Sequence, residues 1–150
     1  MRRKDRELSA EEGMAILRDG EYGVLSTQGD KYPYGVPMSY VTDGKAIYLH
    51  GAAARGLRSR NMEAHETVSF TVVGATEVLP AAFSTNYSSV IVFGRATRIE
   101  GEEKRKALQL FVAKYSPAFR EEGARYIEKA AAATGVYKIT IDFLTARSRR

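Results

Sequence analysis

Short runs in which apolar and polar residues alternate are the feature that most constrains how this chain can fold. The run "VYKITIDF" at residues 136–143 places an apolar side chain at every second position, and "TVSFTVV" at residues 67–73 does the same. Successive side chains of a strand point to opposite faces of a sheet, so these runs predict half-buried β-strands.

Turn residues divide much of the remaining chain into similar segments. Asp43 and Gly44 form a hairpin signal in "TDGK", and Gly94 marks a bend inside a long predicted strand. In the run "YPYGVPMSYV", Pro33 and Pro37 lack backbone donors, which predicts a sheet edge or a bulge. The further predicted strands cover residues 22–27, 32–41, 46–50 and 87–99.

Three segments outside residues 50–60 carry helical signals. Ser9 and Glu12 form a capping-box pattern that begins a short helix ending at Gly20. The run "GEEKRKALQLFVAKY" at residues 101–115 is amphipathic and has acidic residues in its first turn. A further helix is predicted at about residues 120–133.

Together these elements indicate a mainly β fold, a β-barrel with flanking helices. About six antiparallel strands are joined by tight turns, with three or four helices, and strands do not alternate with helices as a doubly wound sheet requires. Residues 74–86 carry no strong signal and are expected to form a loop or lid. No repeat or linker divides the 150 residues, so we expect one domain over residues 1–150.

The composition excludes several classes of protein. The chain has no cysteine, which rules out disulfides, a thiolate nucleophile and a zinc–cysteine site. No apolar run approaches the roughly 20 residues that a membrane span needs. The N-terminal "MRRKDRELSAEEG" lacks the apolar stretch of a signal peptide. We therefore expect a cytoplasmic protein that does not contact membranes.

The net charge of +5 comes from the two ends of the chain. Six of the 23 basic residues lie there, which leaves 17 basic residues against 18 acidic ones in the body. A basic face for specific nucleic-acid binding is therefore not predicted. Residues 1–8 and 145–150 are expected to be flexible basic tails, whose charges are Arg2, Arg3, Lys4, Arg147, Arg149 and Arg150.

Catalytic motifs of the common kinds are missing from the sequence. It has no dinucleotide-binding, phosphate-loop, zinc-protease or serine-hydrolase motif, so the chain either borrows its chemistry from a cofactor or only binds. A metal site would need carboxylates to join His50 and His65, and the spacing favours none. His65, between a helix and a strand, is expected to be a capping or surface residue.

The segment "HGAAARGLRSR" at residues 50–60 has features of an anion site. Small residues after His50 let a ligand approach the backbone, and a helix predicted to start near Arg55 offers free N–H groups in its first turn. Arg55 and Arg58 are expected on one helical face, where both could hold a phosphate. A solvated basic helix end fits the same residues equally well, so spacing alone leaves both interpretations open.

Two long segments resemble a known superfamily. They are "YGVPMSYVTDGKAIYLHGAAARGLRSRN" from Tyr34 to Asn61 and "YSSVIVFGRATRIEGEEKRKALQLFVAKY" from Tyr87 to Tyr115. The chain resembles the pyridoxamine 5'-phosphate oxidase-like, FMN-binding split-barrel superfamily, in particular its branch related to nitroimidazole-resistance proteins. The resembling segments cover most of the chain.

This resemblance implies a homodimer with two FMN sites at the subunit interface. Arg58 matches the basic residue that holds the FMN phosphate, and Arg55 would assist it. Ser89 falls where the superfamily places a polar residue near the flavin, across the dimer. His50 matches the histidine beside the cofactor that handles substrate, and it is the expected catalytic residue. The other implied cofactor contacts are Val36, Pro37, Met38, Ser39, Tyr40, Leu49, Gly51 and Ala52.

The leading hypothesis is an FMN-dependent oxidoreductase that passes electrons from a reduced nicotinamide, or another donor, to a small organic acceptor such as a nitroaromatic compound. The chain has no tryptophan and lacks the C-terminal substrate residues of true pyridoxamine-phosphate oxidases, so oxidation of that substrate is not expected. The alternatives are a flavin- or haem-binding module without turnover, a deazaflavin-dependent reductase, and a barrel that binds partners without a ligand.

Overall fold

A computed structural model describes residues 3–150. Its strands are β1 (Glu7–Leu8), β2 (Tyr22–Thr27), β3 (Tyr34–Thr42), β4 (Ala46–Ala52), β5 (Thr67–Leu79), β6 (Ser84–Ile99) and β7 (Thr134–Arg149). Its α-helices are α1 (Ala10–Asp19), α2 (Leu57–Ala64), α3 (Gly101–Tyr115) and α4 (Arg120–Ala130). Within the described range, none of the helices has both the length and the hydrophobicity of a membrane-spanning segment.

Six of the strands close into an antiparallel barrel. Their order is β7-β4-β3-β2-β5-β6, and β6 pairs back with β7, while β1 adds to β7 outside the ring. The first half of β7 closes the ring, because Val136 pairs with His50 of β4 on one side and with Ile99 of β6 on the other. The predicted fold class, a mainly β barrel with flanking helices, is confirmed.

The alternation along each strand separates two apolar cores. On β4, Ile47 and Leu49 belong to the core inside the barrel, whereas Ala46 and Tyr48 belong to a second core outside it. The outer core lies between the sheet and helices α3 and α4, and it buries Phe111. Burial of one large apolar side chain contributes about 1.5–3 kcal/mol relative to exposure. The outer core therefore fixes both helices against β4.

Polar contacts tie the end of α3 to β3. The ammonium of Lys114 donates to the carbonyls of Gly20 (2.6 Å) and Tyr40 (3.0 Å) and lies 3.9 Å from the centre of the Tyr40 ring. The Tyr115 hydroxyl accepts from the Tyr40 N–H (3.0 Å) and donates to the Glu21 carbonyl (2.5 Å). These bonds satisfy backbone groups that would otherwise lie unpaired at a partly buried position, so they define where α3 crosses the sheet.

Residues 74–86 lie largely within a hairpin, so the predicted loop or lid is wrong. β5 and β6 stay paired as far as Leu79 and Ser84, and the turn between them places Phe83 in the left-handed region at φ 47°. The side chains of Val78 and Phe83 are 70% and 98% exposed. Because little of this part of the hairpin is buried, its sequence lacks the alternation that predicted the other strands.

The expectation of flexible basic tails is wrong for the described ends of the chain. Residues 145–149 belong to β7, and Leu8 of β1 pairs with Ala146. The side chain of Ala146 is only 2% exposed. The prediction considered only the charge of the arginines at this end. In the structure they alternate with smaller residues along a paired strand. Residues 1–2, which the same prediction included, lie outside the described residues.

Candidate functional site

β3 and β4 are paired over only three residues and then separate. Their last pair is Tyr40 with Leu49. Among the described strands, residues 34–39 pair with β2 alone and residues 50–52 pair with β7 alone. This confirms the strand edge that Pro37 predicts. Each strand therefore turns free backbone donors and acceptors toward the space between residues 34–39 and 50–52, called the strand gap below.

The guanidinium of Arg58 lies at the strand gap. Its Nη2 packs so closely against Gly51 that a Cβ at that position would overlap it, and its Nη1 is 3.4 Å from the Met38 sulfur. Its Nε is buried and finds no hydrogen-bond acceptor within residues 3–150. A buried donor without an acceptor is costly. An oxyanion bound in the strand gap would satisfy it.

Helix α2 holds Arg58 in this position. The helix follows Gly56, which provides no side-chain cap, and its first turn contains no acidic residue. Its buried face includes Met62 and Asn61, whose amide donates to the hydroxyl of Thr27 at 3.0 Å. The backbone of Arg58 is thereby fixed against the barrel. The uncapped helix start adds positive potential in the same turn as the guanidinium.

Arg55 does not share a helical face with Arg58, contrary to the prediction. The helix begins at Leu57, so Arg55 lies before its first turn. The Arg55 guanidinium instead lies 3.3 Å from the Glu63 carboxylate, and its side chain is 67% exposed. An ion pair this exposed adds little stability. A role for Arg55 in phosphate binding stays a prediction.

His50 lies near the end of β4 on the outer face of the barrel. Its ring meets the ring of Phe111 edge to face, with the ring centres 4.4 Å apart and an angle of 86° between the planes. Partial burial lowers the pKa of His50 below its ordinary value of 6.5, and the positive charge of Arg58 lowers it further. At neutral pH the imidazole is therefore uncharged, and it can donate one hydrogen bond and accept another.

An open cleft of about 670 Å³ lies between β4 and helices α3 and α4, and is called the helix cleft below. The sequence predicted its strand side but not its helical wall, because α3 and α4 are distant from β4 along the chain. The sequence showed the apolar stripe of α3, but it did not show which surface of the barrel this stripe covers. The main residues of that wall are Leu108, Phe111, Tyr115, Tyr126, Ile127 and Ala130.

The predicted cofactor residues divide between the two faces of β3 and β4. Met38, Tyr40 and Leu49 are buried in the barrel core, and Val36 packs against that core. The backbone groups of Tyr40 are already bonded to residues of α3. Pro37 is exposed at the strand gap. Four of the predicted residues line the helix cleft, namely Ser39, His50, Gly51 and Ala52.

Two predicted polar residues lie away from both features. Ser89 on β6 pairs with Val73 and Arg147 and does not line the helix cleft, so its contact across a dimer stays a prediction. His65 is exposed and follows α2, where its N–H donates to the Asn61 carbonyl at 2.8 Å, as expected for a capping residue. Within residues 3–150, no three His, Asp or Glu side chains cluster as a metal site requires.

A barrel that opens where two neighbouring strands separate defines the class of split barrels. The sequence matches the family model described as pyridoxamine 5'-phosphate oxidase over residues 9–148. The chain therefore belongs to the pyridoxamine 5'-phosphate oxidase family, and the resemblance noted in the sequence is confirmed. A comparison with curated protein sequences gives no match.

Solved structures with a similar fold come from several bacteria. A flavocytochrome from Azotobacter vinelandii is 26% identical, with a TM-score of 0.77 over 95% of this chain and 68% of that one. A candidate 5-nitroimidazole antibiotic resistance protein from Bacteroides thetaiotaomicron is 19% identical, with a TM-score of 0.74 over 96% and 90%. An FAD-binding protein from Mesorhizobium loti is 21% identical, with a TM-score of 0.69 over 97% and 98%. A relative of the predicted nitroimidazole-resistance branch is thus among the structural neighbours.

Proposed function

We propose that this protein is a flavin-dependent oxidoreductase that binds FMN at the strand gap and passes electrons to a small organic acceptor. The observation that carries the proposal is the guanidinium of Arg58, whose buried Nε lacks an acceptor beside the free edges of β3 and β4. Membership of the pyridoxamine 5'-phosphate oxidase family supports it, as do a flavocytochrome and an FAD-binding protein among the structural neighbours.

A phosphate monoester such as that of FMN suits the surroundings of Arg58. The guanidinium offers charged donors in a planar fork that matches phosphate oxygens. The uncapped first turn of α2 adds backbone N–H donors. Residues 34–39 offer free backbone groups to the polar edge of a flavin ring. In this proposal Arg58 holds the phosphate and residues 34–39 hold the ring.

Bound flavin would supply reversible two-electron transfer between a donor such as a reduced nicotinamide and the acceptor. The role proposed for His50 is to orient that acceptor. Because its pKa is lowered, the neutral imidazole can donate a hydrogen bond to a polar group on the acceptor. It can also relay a proton from solvent to the reduced product.

The proposal includes a homodimer in which Ser89 of one chain approaches the site of the other. Val73, the cross-strand partner of Ser89, is 58% exposed, and it lines one open pocket together with Tyr22, which is 63% exposed. Large apolar side chains exposed together are typical of a surface that a partner covers. Sedimentation should give twice the chain mass of 16.6 kDa. A monomer that binds FMN would contradict this part of the proposal.

The first test is an FMN titration followed by visible absorption and flavin fluorescence. Arg58→Glu should weaken FMN binding by about 100-fold or more, because repulsion replaces a charge-assisted hydrogen bond. Arg60→Glu is the matched control, since Arg60 lies on the same helix and is exposed. A wild-type protein whose spectrum does not change on FMN titration would overturn the flavin assignment.

The second test concerns turnover. Protein loaded with FMN should be reduced by NADH or NADPH and reoxidised without oxygen by a nitroaromatic acceptor. Flavin that binds tightly but is neither reduced by these donors nor reoxidised by the acceptor would overturn the enzymatic part of the proposal, and would favour a flavin-binding module.

A further inference from the structure

We propose that the helix cleft is the binding site of the electron acceptor and that it selects neutral, flat aromatic molecules. The inference rests on the proposed function. A molecule in the helix cleft could accept electrons only because the cleft lies near the strand gap, where FMN is proposed to bind. His50 lines the cleft, and the next residue, Gly51, packs against Arg58. A molecule in the cleft therefore contacts the same end of β4 that adjoins the guanidinium.

The walls of the helix cleft suit a flat ring. Phe111 meets His50 edge to face and lies nearly parallel to Tyr115, with ring centres 6.1 Å apart and 17° between the planes. Helix α4 adds Tyr126, which is 72% exposed. Edge-to-face and offset-stacked pairs are favourable arrangements for aromatic rings. A ligand ring can extend the arrangement that these side chains already have.

The charge of the lining argues for a neutral ligand. No Asp, Glu, Lys or Arg of the described chain lines the helix cleft. Its polar groups include the His50 imidazole and the Ser39 hydroxyl, while the Thr134 hydroxyl already donates to the Ala130 carbonyl at 2.8 Å. An ion would lose hydration there without a counter-ion in the lining, and in the proposed function the nearby Arg58 guanidinium is already paired with the FMN phosphate. A neutral ring with one polar substituent could instead hydrogen-bond to His50.

Helix packing holds the helix cleft open. Gly123 of α4 lies so close to Val112 of α3 that a Cβ would overlap the valine side chain. Lys114 ties α3 to the sheet, and the Ala53 N–H donates to the Ala133 carbonyl at 2.9 Å in the turn after α4. The walls are therefore fixed at both ends, as in the largely preformed sites that proteins use for small molecules.

The test compares two probes of similar shape, neutral 4-nitrotoluene and anionic 4-nitrobenzoate. Each is titrated into the protein with and without FMN, and binding is followed by NMR of the imidazole protons of His50. The chain has two histidines, so a His50→Gln variant assigns these signals. We expect 4-nitrotoluene to shift them and to bind roughly tenfold or more tightly than 4-nitrobenzoate. Equal or tighter binding of the anion would overturn the selection of neutral molecules.

Two variants locate the bound probe. Ala133→Trp fills the helix cleft from an exposed position, and Ala132→Trp is its matched control, next to it but outside the lining. We expect 4-nitrotoluene to shift the His50 signals in the control but not in Ala133→Trp. Ala130→Trp repeats the test from α4, in case the turn rearranges. Undiminished shifts in both filled variants would overturn the inference.

An FMN titration of the same variants separates failure of this inference from failure of the proposed function. If FMN binds but 4-nitrotoluene does not, the inference is overturned while the flavin function stands. If Ala133→Trp loses affinity for FMN, the cleft belongs to the cofactor and the acceptor assignment is overturned. If 4-nitrotoluene binds in the cleft but FMN does not bind at all, the ligand site is supported and the proposed function is overturned.

Discussion

The Nη2 atom of Arg58 occupies the space where a Cβ atom at Gly51 would lie. Because Gly51 has no side chain, the side chain of Arg58 can extend from helix α2 across strand β4. This close approach requires glycine for a steric reason rather than for a turn. Any larger residue at position 51 displaces the guanidinium from the strand gap.

Gly51→Ala should therefore weaken FMN binding by about tenfold, which corresponds to about 1.4 kcal/mol, because the guanidinium no longer meets the phosphate at its best position. Flavin fluorescence during titration measures the change. Gly56→Ala is the control, since a Cβ there meets no atom within 4 Å. Unchanged affinity in Gly51→Ala would contradict the role proposed for Arg58.

The pKa of His50 should lie below 6.5 in the folded protein when measured by NMR. The unfolded chain then takes up the proton at a higher pH than the folded chain does. The contribution of His50 to the free energy of unfolding is thus largest above pH 6.5 and decreases as the pH falls from 6.5 to the folded-state pKa. His50→Gln should remove this part of the pH dependence.

The same titration tests the electrostatic contact between His50 and Arg58. Arg58→Gln should raise the pKa of His50 toward its ordinary value, because a nearby positive charge is removed. Arg60→Gln should leave the pKa as it is in the wild type. A His50 pKa that is the same in both variants would mean that burial alone lowers it.

Tyr115→Phe should lower the free energy of unfolding by about 1–3 kcal/mol, because the Tyr40 N–H and the Glu21 carbonyl lose a hydrogen-bond partner. Urea denaturation measures the difference. Tyr32→Phe provides the comparison, since Tyr32 is 78% exposed. Equal stability of the two variants would show that the Tyr115 hydroxyl does not help to hold α3 on the sheet.

Removal of residues 145–150 should abolish cooperative thermal unfolding, because β7 over these residues pairs with β6 and buries Ala146. Removal of Arg150 alone, which follows the strand, should change the free energy of unfolding by no more than about 0.5 kcal/mol. Circular dichroism during heating compares the two. A transition at the wild-type temperature in the shorter variant would contradict the structural role of this segment.

Local sequence patterns predicted the structure correctly where a segment packs on a core or where a helix is capped by its own residues. Val68, Phe70 and Val72 alternate as predicted and are buried in the barrel. The capping box is present, with the Ser9 hydroxyl accepting from the Glu12 N–H at 3.2 Å. The hairpin over residues 74–86 was not predicted. Its strands are paired but little buried, so its sequence does not alternate between apolar and polar residues.

The candidate site was only partly predictable for a different reason. Arg58 and His50 stood out as residues, but their arrangement depends on β3 and β4 ceasing to pair after Tyr40, which no local pattern specifies. The contact between His50 and Phe111 depends on how α3 packs on the sheet. Both are long-range properties that the spacing of residues along one segment does not contain.

Strand β7, which closes the barrel, is synthesised after the other strands of the barrel, and this order affects how the chain folds. β4 and β6 both need β7 as a partner, and β7 leaves the ribosome after every other strand of the barrel. Until then the nascent chain carries two unpaired strand edges, which can associate with other chains. Pairing between distant segments is also slow. Expression at low temperature or with added chaperones should therefore raise the yield of soluble protein.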